Sequence, residues 1–303
     1  MMLPFWSPAN AKFLSPALGF GGGSAPVTLP LDGYDTDLWD AWGTARLLTS
    51  YTGNLAQVRE STGSTSANIG YGASNLLDTA ALASHVGAGS GYVAQLYGQK
   101  NSRHLAMATT TRQPRIRNAG TNVAFASGVA LETVTADIQR MVTSGVTAYT
   151  GTNATFMAVH CSKSGAASGK IASLLDATNR SDLSDSLATI MGNGSNGVSL
   201  FKGDSLANTP GGSPTEKLRI IFGVFNGTNK ILYDSNDLPG SSIQNAETTA
   251  FNFDRFGIWA YTASASWCAA GERLAAAAVW TRTLSSVEIA AITTAIETLY
   301  GIP

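Results

Sequence analysis

The stretch ERLAAAAVWTRTLSSVEIAAITTAIETLYGIP, residues 272 to 303, carries the clearest structural signals of the sequence. Its first eleven residues, 272–282, are mostly apolar and have the length of a buried strand. Ser285 and Glu288 then stand three residues apart as a capping box, and isoleucines recur at helical spacing before Gly301. The isoleucines are Ile289, Ile292 and Ile296. We therefore predict a strand followed by a helix from about Ser286 to Tyr300.

Towards the N-terminus, short apolar or alternating segments recur between turn residues such as Gly, Asn, Ser and Pro. The further predicted strands cover residues 91–98, 122–127, 154–162, 169–177, 197–203, 217–227, 229–235 and 253–261. Residues 77–87, LDTAALASHVG, have helical spacing, and residues 38–48, LWDAWGTARLL, could form a short helix or pack irregularly around their two tryptophans. Many short strands without interleaved helices favour a sandwich or jelly roll over a βαβ fold.

The composition agrees with an all-β protein that has a weakly charged surface. Only 13% of the 303 residues are charged, about half of the usual ~25%, while 44% are hydrophobic. The net charge of −1 and the scattered basic residues argue against nucleic-acid binding. No apolar run approaches the ~20 residues that span a bilayer, so membrane insertion is not expected. The first residues also lack the basic and apolar regions of a standard signal peptide.

The first thirty residues are predicted to form an arm, and residues 31–303 to form the sandwich domain. Five prolines interrupt any helix in the arm, and GFGGGSAP, residues 19–26, is typical of a flexible segment. The arm carries apolar rings at Phe5, Trp6, Phe13 and Phe20. Two interpretations stay open: the arm packs on its own domain, or these rings anchor it in a neighbouring subunit.

The chain has only two cysteines, Cys161 and Cys268, which is not the composition of a disulfide scaffold. We expect two free thiols, with a single disulfide as the alternative. His85, His104 and His160 lack the spacing of a metal site. A cluster of aspartates lacks the order of a calcium loop, so we expect a solvated loop there and no cofactor, with structural calcium as the alternative. These aspartates are Asp32, Asp35, Asp37 and Asp40.

Several segments carry a family resemblance. ARLLTSYTGNLAQVRES (45–61), NIGYG (68–72), LLDTAALASHVGAGSGYVAQLYGQKNSRHL (76–105) and QPRI (113–116) together resemble the catalytic-domain family of fungal α-L-arabinofuranosidase B, as found in tailed-bacteriophage virion proteins. RLAAAAVWTRTLSSVEIAAI (273–292) resembles the closing strand and helix of laminin-G-like and concanavalin A-like jelly rolls. The resemblance implies an antiparallel two-sheet jelly-roll sandwich with a short N-terminal helical excursion and a C-terminal helix. Residues 31–120 would form its arabinofuranosidase-B-like part and residues 121–303 its laminin-G-like part.

The acidic residues of that family are missing at the matched positions. A retaining glycosidase needs two carboxyl groups about 5–5.5 Å apart. The resemblance places the family's nucleophilic Glu at Gly192, its acidic Asp at Tyr261, and the Asp of its WYDQSGNG motif at Gly98. We therefore expect no glycosidase activity. Other carboxylate pairs stay open, namely Asp254 with Glu272 and Asp234 with Asp237.

Aromatic side chains are the remaining route to a sugar ligand, because flat rings stack on the apolar faces of pyranoses. Trp267, in the loop-like TASASWCAAG, is the best candidate, with Tyr261 and Trp259 nearby. Alternation predicts that Trp280 lies in the core and leaves Trp259 undecided.

The sequence thus favours a non-catalytic structural protein of a tailed-phage virion, such as a spike, fibre or decoration, whose lectin-like jelly roll binds host glycan. The alternatives are a purely structural capsid or tail adaptor without sugar binding, and an α-L-arabinofuranosidase-type glycosidase. The expected partners are other virion proteins through the arm, further copies of the chain in a homotrimer, and host cell-surface polysaccharide. The expected location is the virion surface, after synthesis in the host cytoplasm.

Overall fold

The computed structural model describes residues 28–63, 65–135, 138–146, 148–162, 169–175, 186–193, 197–202, 205–208, 217–236, 243–260 and 268–303. Several residues named above lie outside these ranges: Phe5, Trp6, Phe13, Phe20, Asp237, Tyr261 and Trp267.

The described ranges contain mostly strands. The first twelve are β1 (Leu38–Gly43), β2 (Ala56–Glu60), β3 (Ser66–Ile69), β4 (Gly91–Leu96), β5 (Leu105–Ala106), β6 (Arg115–Asn118), β7 (Thr121–Asn122), β8 (Ala124–Phe125), β9 (Gly128–Val129), β10 (Leu131–Glu132), β11 (Met141–Thr143) and β12 (Tyr149–Gly151). The others are β13 (Asn153–Ser162), β14 (Gly169–Leu175), β15 (Ser186–Asn193), β16 (Gly197–Lys202), β17 (Ser205–Asn208), β18 (Lys217–Asn226), β19 (Asn229–Asp234), β20 (Ile243–Ala246), β21 (Phe251–Phe253), β22 (Arg255–Ile258) and β23 (Arg273–Trp280). The helices are α1 (Thr79–Val86), α2 (Ser286–Tyr300) and a 3₁₀ turn at Thr110–Arg112.

Two antiparallel sheets form the sandwich. The first has the order β20-β19-β18-β13-β23-β1, and β10 continues the edge beside the start of β23. The second has the order β3-β2-β4-β5-β11-β22-β14-β15-β16-β17, and β6 follows β5 along the edge of β4. The sheets meet where Glu132 of β10 pairs with Arg115 of β6. The expected all-β, antiparallel two-sheet sandwich is confirmed.

Alternation along the central strands produces two core layers. On β13, Phe156 and Ala158 point between the two sheets, whereas Met157 and Val159 point to the outer side of the first sheet. That outer side is covered by α2, whose Ile292 is fully buried there. The molecule therefore has three layers: α2, the first sheet and the second sheet.

Both predicted helices are confirmed, with local caps that explain their bounds. Ser285 accepts a hydrogen bond from Glu288 N–H, and Gly301 ends α2 in the left-handed conformation at φ 63°. Asp78 caps α1 by accepting from the backbone N–H groups of Ala80 and Ala81. Neither of these two helices is long and apolar enough to cross a membrane.

The segment LWDAWGTARLL corrects a prediction, because it contains no helix. Its first six residues form β1, a fully buried strand that pairs with β23. The apolar spacing was ambiguous since β1 is buried on both faces, between Trp42 in one core layer and Leu38 in the other. Strands β2, β3, β6 and β15 were also not predicted.

Cys161 and Cys268 are both buried and form no disulfide with each other. Within the described ranges, no three His, Cys, Asp or Glu side chains are grouped as metal ligands. The aspartate cluster is not a uniformly solvated loop, because Asp40 is fully buried. Asp35 instead forms an ion pair with Lys100 at 2.5 Å.

Candidate functional site

The outer face of the second sheet carries a row of carboxamides across three neighbouring strands. Apolar residues such as Val58, Ile69 and Leu96 fill the core side of β2, β3 and β4, so the residues between them point outward. In this register, Gln57 of β2 lies directly opposite Asn68 of β3 on one side and Gln95 of β4 on the other. Directly opposed side chains in antiparallel strands lie about 5 Å apart.

Aromatic rings flank this row on both sides along the direction of β4. Tyr97 donates its hydroxyl hydrogen to Asn68 Oδ1 at 2.7 Å, and its ring meets His104 edge-on at 5.0 Å. On the other side of the row, the guanidinium of Arg59 lies 5.2 Å from the centroid of the Tyr92 ring. Tyr97 follows Tyr92 by five positions, which is about 16 Å in an extended strand. The amide surface, as we define it, consists of Gln57, Arg59, Asn68, Tyr92, Gln95, Tyr97 and His104.

The chemistry of the amide surface suits a neutral polyhydroxylated ligand. Within the described part of the chain, the carboxamides of Gln57 and Gln95 make no hydrogen bond to protein, and both residues are half-buried. A carboxamide both donates and accepts, as a pair of neighbouring sugar hydroxyls does. The tyrosine rings add apolar faces for stacking.

The loop after Tyr97 is held in place by the fully buried Asp40 of β1. The Asp40 carboxylate accepts backbone N–H groups of Lys100 at 2.9 Å, Asn101 at 3.2 Å and Arg103 at 2.7 Å. It also accepts the N–H of Ala41 at 2.8 Å. A Cβ atom at residue 98 would lie within 3.0 Å of this carboxylate. Asp40 therefore occupies the space of a side chain at Gly98, so that β1 supplies a carboxylate beside the position where the resemblance expected one.

Burial dominates the electrostatics around this loop. Desolvation raises the pKa of Asp40 above its usual range. The hydrogen bonds from the four N–H groups lower this pKa, but their effect is smaller than that of desolvation. Burial also lowers the pKa of His104, whose Nδ1 accepts from the backbone N–H of Gly98 at 3.1 Å. An imidazole that accepts at Nδ1 must be neutral with its proton on Nε2. Hence the folded loop selects the neutral form of His104.

Two of the three matched acidic positions, Gly98 and Gly192, lie far apart in the second sheet. One register row crosses the second sheet through Gln95, Ala106, Val142, Gly257, Ser173 and Thr189. Five antiparallel pairings separate β4 from β15, so these two strands run in opposite directions. Gly98 follows Gln95 by three residues and Gly192 follows Thr189 by three residues, so the two glycines lie on opposite sides of this row. At about 3.3 Å per residue and 4.8 Å per strand, they are about 30 Å apart. Gly98 matches the third acidic residue of the family, whereas the pair matched to nucleophile and acid is Gly192 with Tyr261, and Tyr261 lies outside the described residues.

The end of the sheet at Gly192 is basic rather than acidic. Gly169 of β14 pairs with Gly192, and the next residue, Lys170, is buried. Burial lowers the pKa of Lys170 to about 7.

Of the alternative carboxylate pairs, the structure describes both members only of Asp254 with Glu272, because Asp237 lies outside the described residues. Asp254 directly precedes β22 and lies at the end of the second sheet where Gly98 lies. Glu272 directly precedes β23 of the first sheet and lies at the opposite end of the sandwich, so the two carboxylates do not form a pair. Glu272 instead contacts Nε2 of the buried His160. Asp234 accepts from Nη1 of the buried Arg219 at 2.6 Å.

The tryptophan predictions have different outcomes. Trp280 is fully buried as predicted, and its Nε1 donates to the carbonyl of Tyr34 at 2.7 Å. Trp259 is 1% exposed and packs in the core between the sheets, so it is not a surface for a sugar to stack on. Its φ of 53° turns the ring inward at the end of β22, which the alternation of FGIWAY did not indicate.

Sequence reasoning missed Tyr92 and Tyr97, although their signal was present. The segment GYVAQLYG alternates its tyrosines with buried Val93 and Leu96, and AQVRE alternates Gln57 with Val58 in the same way. What the sequence lacked was the pairing of β2 with β4, which places the two segments side by side.

Comparison with known proteins supports the architecture. No family model matches the chain, and no curated protein is significantly similar to it. A solved structure of a glycoside hydrolase family 54 α-L-arabinofuranosidase, soaked with 4-nitrophenyl α-L-arabinofuranoside, superposes with a TM-score of 0.66 at 13% identity. An arabinofuranosidase complexed with arabinofuranosyl-α-1,2-xylobiose gives 0.64, also at 13%. The chain has the fold of these enzymes.

The alignment to both enzymes covers 90% of this chain but only 65% of theirs. At 13% identity the likeness concerns the arrangement of strands and not the chemistry.

Proposed function

We propose that this chain is a non-catalytic carbohydrate-binding sandwich that binds host glycan through the amide surface, as part of a tailed-phage spike, fibre or decoration. The main observation in support of this proposal is that Asn68, Gln57 and Gln95 lie in register across three strands. The rings of Tyr97 and Tyr92 lie on either side of this row. Such a row offers paired donors and acceptors along a flat face, at the scale of two or three sugar residues.

The absence of catalysis rests on the matched positions. Gly192 and Tyr261, matched to the nucleophile and the acid, carry no carboxyl group, and neither does Gly98. Asp40, the carboxylate beside Gly98, is fully buried and accepts four backbone N–H groups. It therefore supports the fold rather than reacting with substrate.

The ligand we propose is uncharged. While His104 is neutral, Arg59 is the only residue of the amide surface with a full charge. The guanidinium of Arg59 already lies over the ring of Tyr92. A strongly acidic polysaccharide would need more cations than this face has. The site is also open and shallow, so each copy binds weakly, and the proposed trimer on the virion raises the avidity.

A glycan array with the full chain tests the binding. We expect neutral glycans to bind, and Tyr97→Ala and Gln57→Ala to reduce the signal at least tenfold. Asn229→Ala, which removes a half-buried carboxamide from β19 of the first sheet, is the matched control and should bind normally. Equal signals from all four proteins, or none from the parent chain, would favour the purely structural adaptor. Release of 4-nitrophenol from 4-nitrophenyl α-L-arabinofuranoside would contradict the non-catalytic assignment.

The virion assignment has its own test. Deleting residues 1–25 should leave a folded domain that no longer assembles on particles, which quantitative mass spectrometry of purified particles would show. Unchanged incorporation would count against the anchoring role of the arm.

A further inference from the structure

A groove lies on the outer face of the first sheet, on the side opposite to the amide surface. It has a volume of about 500 Å³ and is bordered by α2 on one side and by β18 and β19 on the other. On the sheet side the groove is lined by Tyr233, which is half-buried, and by Ile220 and Phe222, which are each only 1% exposed. Val287 lines it from α2. Val287 is 77% exposed, which is exceptional for a large apolar side chain in the described part of the chain.

The described chain begins in the same layer. Leu29 is buried, and Leu31 packs in the core layer that also contains Ile289 of α2. Residues 1–27 precede this point. The arm thus departs from the layer in which the groove lies.

We propose that the groove of the unassembled chain holds residues 13–18, Phe-Leu-Ser-Pro-Ala-Leu, of the chain's own N-terminal arm. The helix wall of the groove runs from Ser286 to Glu297, which is about 16 Å at 1.5 Å per residue. Five or six extended residues have the same length. This segment offers Phe13, Leu14 and Leu18 to the apolar side chains that the groove leaves accessible, which include Val287 and the half-buried Tyr233.

The remaining linker is long enough to reach the groove. Residues 19–27 can extend to about 30 Å. Four strand spacings, about 19 Å, separate β1 from β19 at the far wall. The linker joins the described chain at Thr28, ten residues before β1. A tethered segment has an effective concentration of about 1 mM, so at micromolar protein it occupies its own groove before that of a second copy.

Charge complementarity supports the same occupant. Lys12 is the only basic residue of the arm, directly before the proposed segment. Glu297 lines the end of the groove and makes no ion pair with any described residue. Docking would bring these two opposite charges together. It would also cover the arm's apolar side chains until assembly on a particle displaces them.

Limited trypsin digestion of the full chain tests this proposal, because Lys12 is the only tryptic site before Arg46. The readout is the rate at which mass spectrometry detects loss of residues 1–12. We expect cleavage after Lys12 to be about tenfold faster in Ala290→Trp, which fills the groove from an exposed helix position, and to be faster in Glu297→Gln. Thr109→Trp, an exposed change away from the groove, should match the parent chain.

Two results would overturn the proposal. The first is equal cleavage of the parent chain and Ala290→Trp while both show the same thermal unfolding. The second is protection that disappears on roughly hundredfold dilution, since this would assign the groove to the arm of a second copy. The test is independent of sugar binding, because the groove and the amide surface lie on opposite faces.

Discussion

Replacing Asp40 by alanine removes the acceptor that fixes the loop after β4. Three of its four hydrogen bonds reach residues about sixty positions away, at Lys100, Asn101 and Arg103. An N–H group that loses its partner costs about 1 kcal/mol where water replaces it and about 3 where it does not. Lys100 and Asn101 are exposed residues, so we expect the low end and a total loss of about 3 kcal/mol in the free energy of unfolding.

A double-mutant cycle that combines Asp40→Ala with Gly98→Ala tests whether the Asp40 carboxylate fills the space that a side chain at residue 98 would need. A Cβ atom at residue 98 would lie within 3.0 Å of the Asp40 carboxylate and 2.7 Å from the backbone N of Arg103. Such overpacking costs about 1–3 kcal/mol. Without the carboxylate, Gly98→Ala loses one of its two clashes, so it should cost at least about 1 kcal/mol less in the Asp40→Ala background.

The assay is urea unfolding of the four proteins, followed by tryptophan fluorescence and compared at equal m-values. Gly72→Ala is the control, because no atom lies within 4 Å of a Cβ at Gly72. It should be close to neutral in both backgrounds. Additive costs for Asp40→Ala and Gly98→Ala, within about 0.5 kcal/mol, would refute the idea that Asp40 fills the space of a side chain at residue 98.

Three pH effects follow from the buried or paired ionisable groups. The hydrogen bond from Arg282 lowers the pKa of Glu288 from 4.5 to about 2, so the ionised Glu288 stabilises the fold above pH 4.5 and this stabilisation is lost as the pH falls towards 2. Glu288→Gln should therefore reduce the fall in melting temperature between pH 4.5 and 2. Because burial lowers the pKa of Lys170 from 10.5 to about 7, the free energy of unfolding should rise with pH between these values, and Lys170→Met should abolish the rise in urea titrations. Burial lowers the pKa of His104 from 6.5, and protonation below that lowered pKa removes the acceptor for Gly98 N–H, so glycan affinity by calorimetry should fall as the pH is lowered stepwise from 6.5.

Features that depend on neighbours in sequence could be predicted well. The capping box of Ser285 and Glu288 and the left-handed Gly301 fix α2 within a few residues, so its bounds required no tertiary information. The interior strands β13, β18 and β23 were also predicted, because their long apolar runs are bounded by turn residues. Their order in the sheet was available only from the resemblance.

Features that depend on distant partners were missed for identifiable reasons. β1 is a strand because β23 pairs with it across more than 230 residues, although its two tryptophans fit a helix equally well. Asp40 looked like one of several loop aspartates, yet it is buried because three distant N–H groups converge on it. A long-range acceptor of this kind has no signature within its own segment.

The candidate site shows the same limit in another form. Period-two alternation could have assigned Gln57 and Gln95 to outward-facing positions, but only the register places them opposite each other. A shift of β2 by one residue would turn Gln57 into the core and break the row of carboxamides. The buried neighbours Ala56 and Val58 prevent this shift, because it would expose both of them.

The layering of the molecule explains how a binding face can change while the fold is kept. Stability resides in the two core layers and in buried contacts such as those of Asp40, whereas the amide surface contributes little to either layer. Under the proposed function, substitutions on the outer face of β2, β3 and β4 would alter ligand choice at small cost in stability, since surface changes are usually worth less than about 0.5 kcal/mol. A sandwich that loses catalytic carboxylates can thus keep its architecture and still acquire a ligand-binding face on the outside of its second sheet.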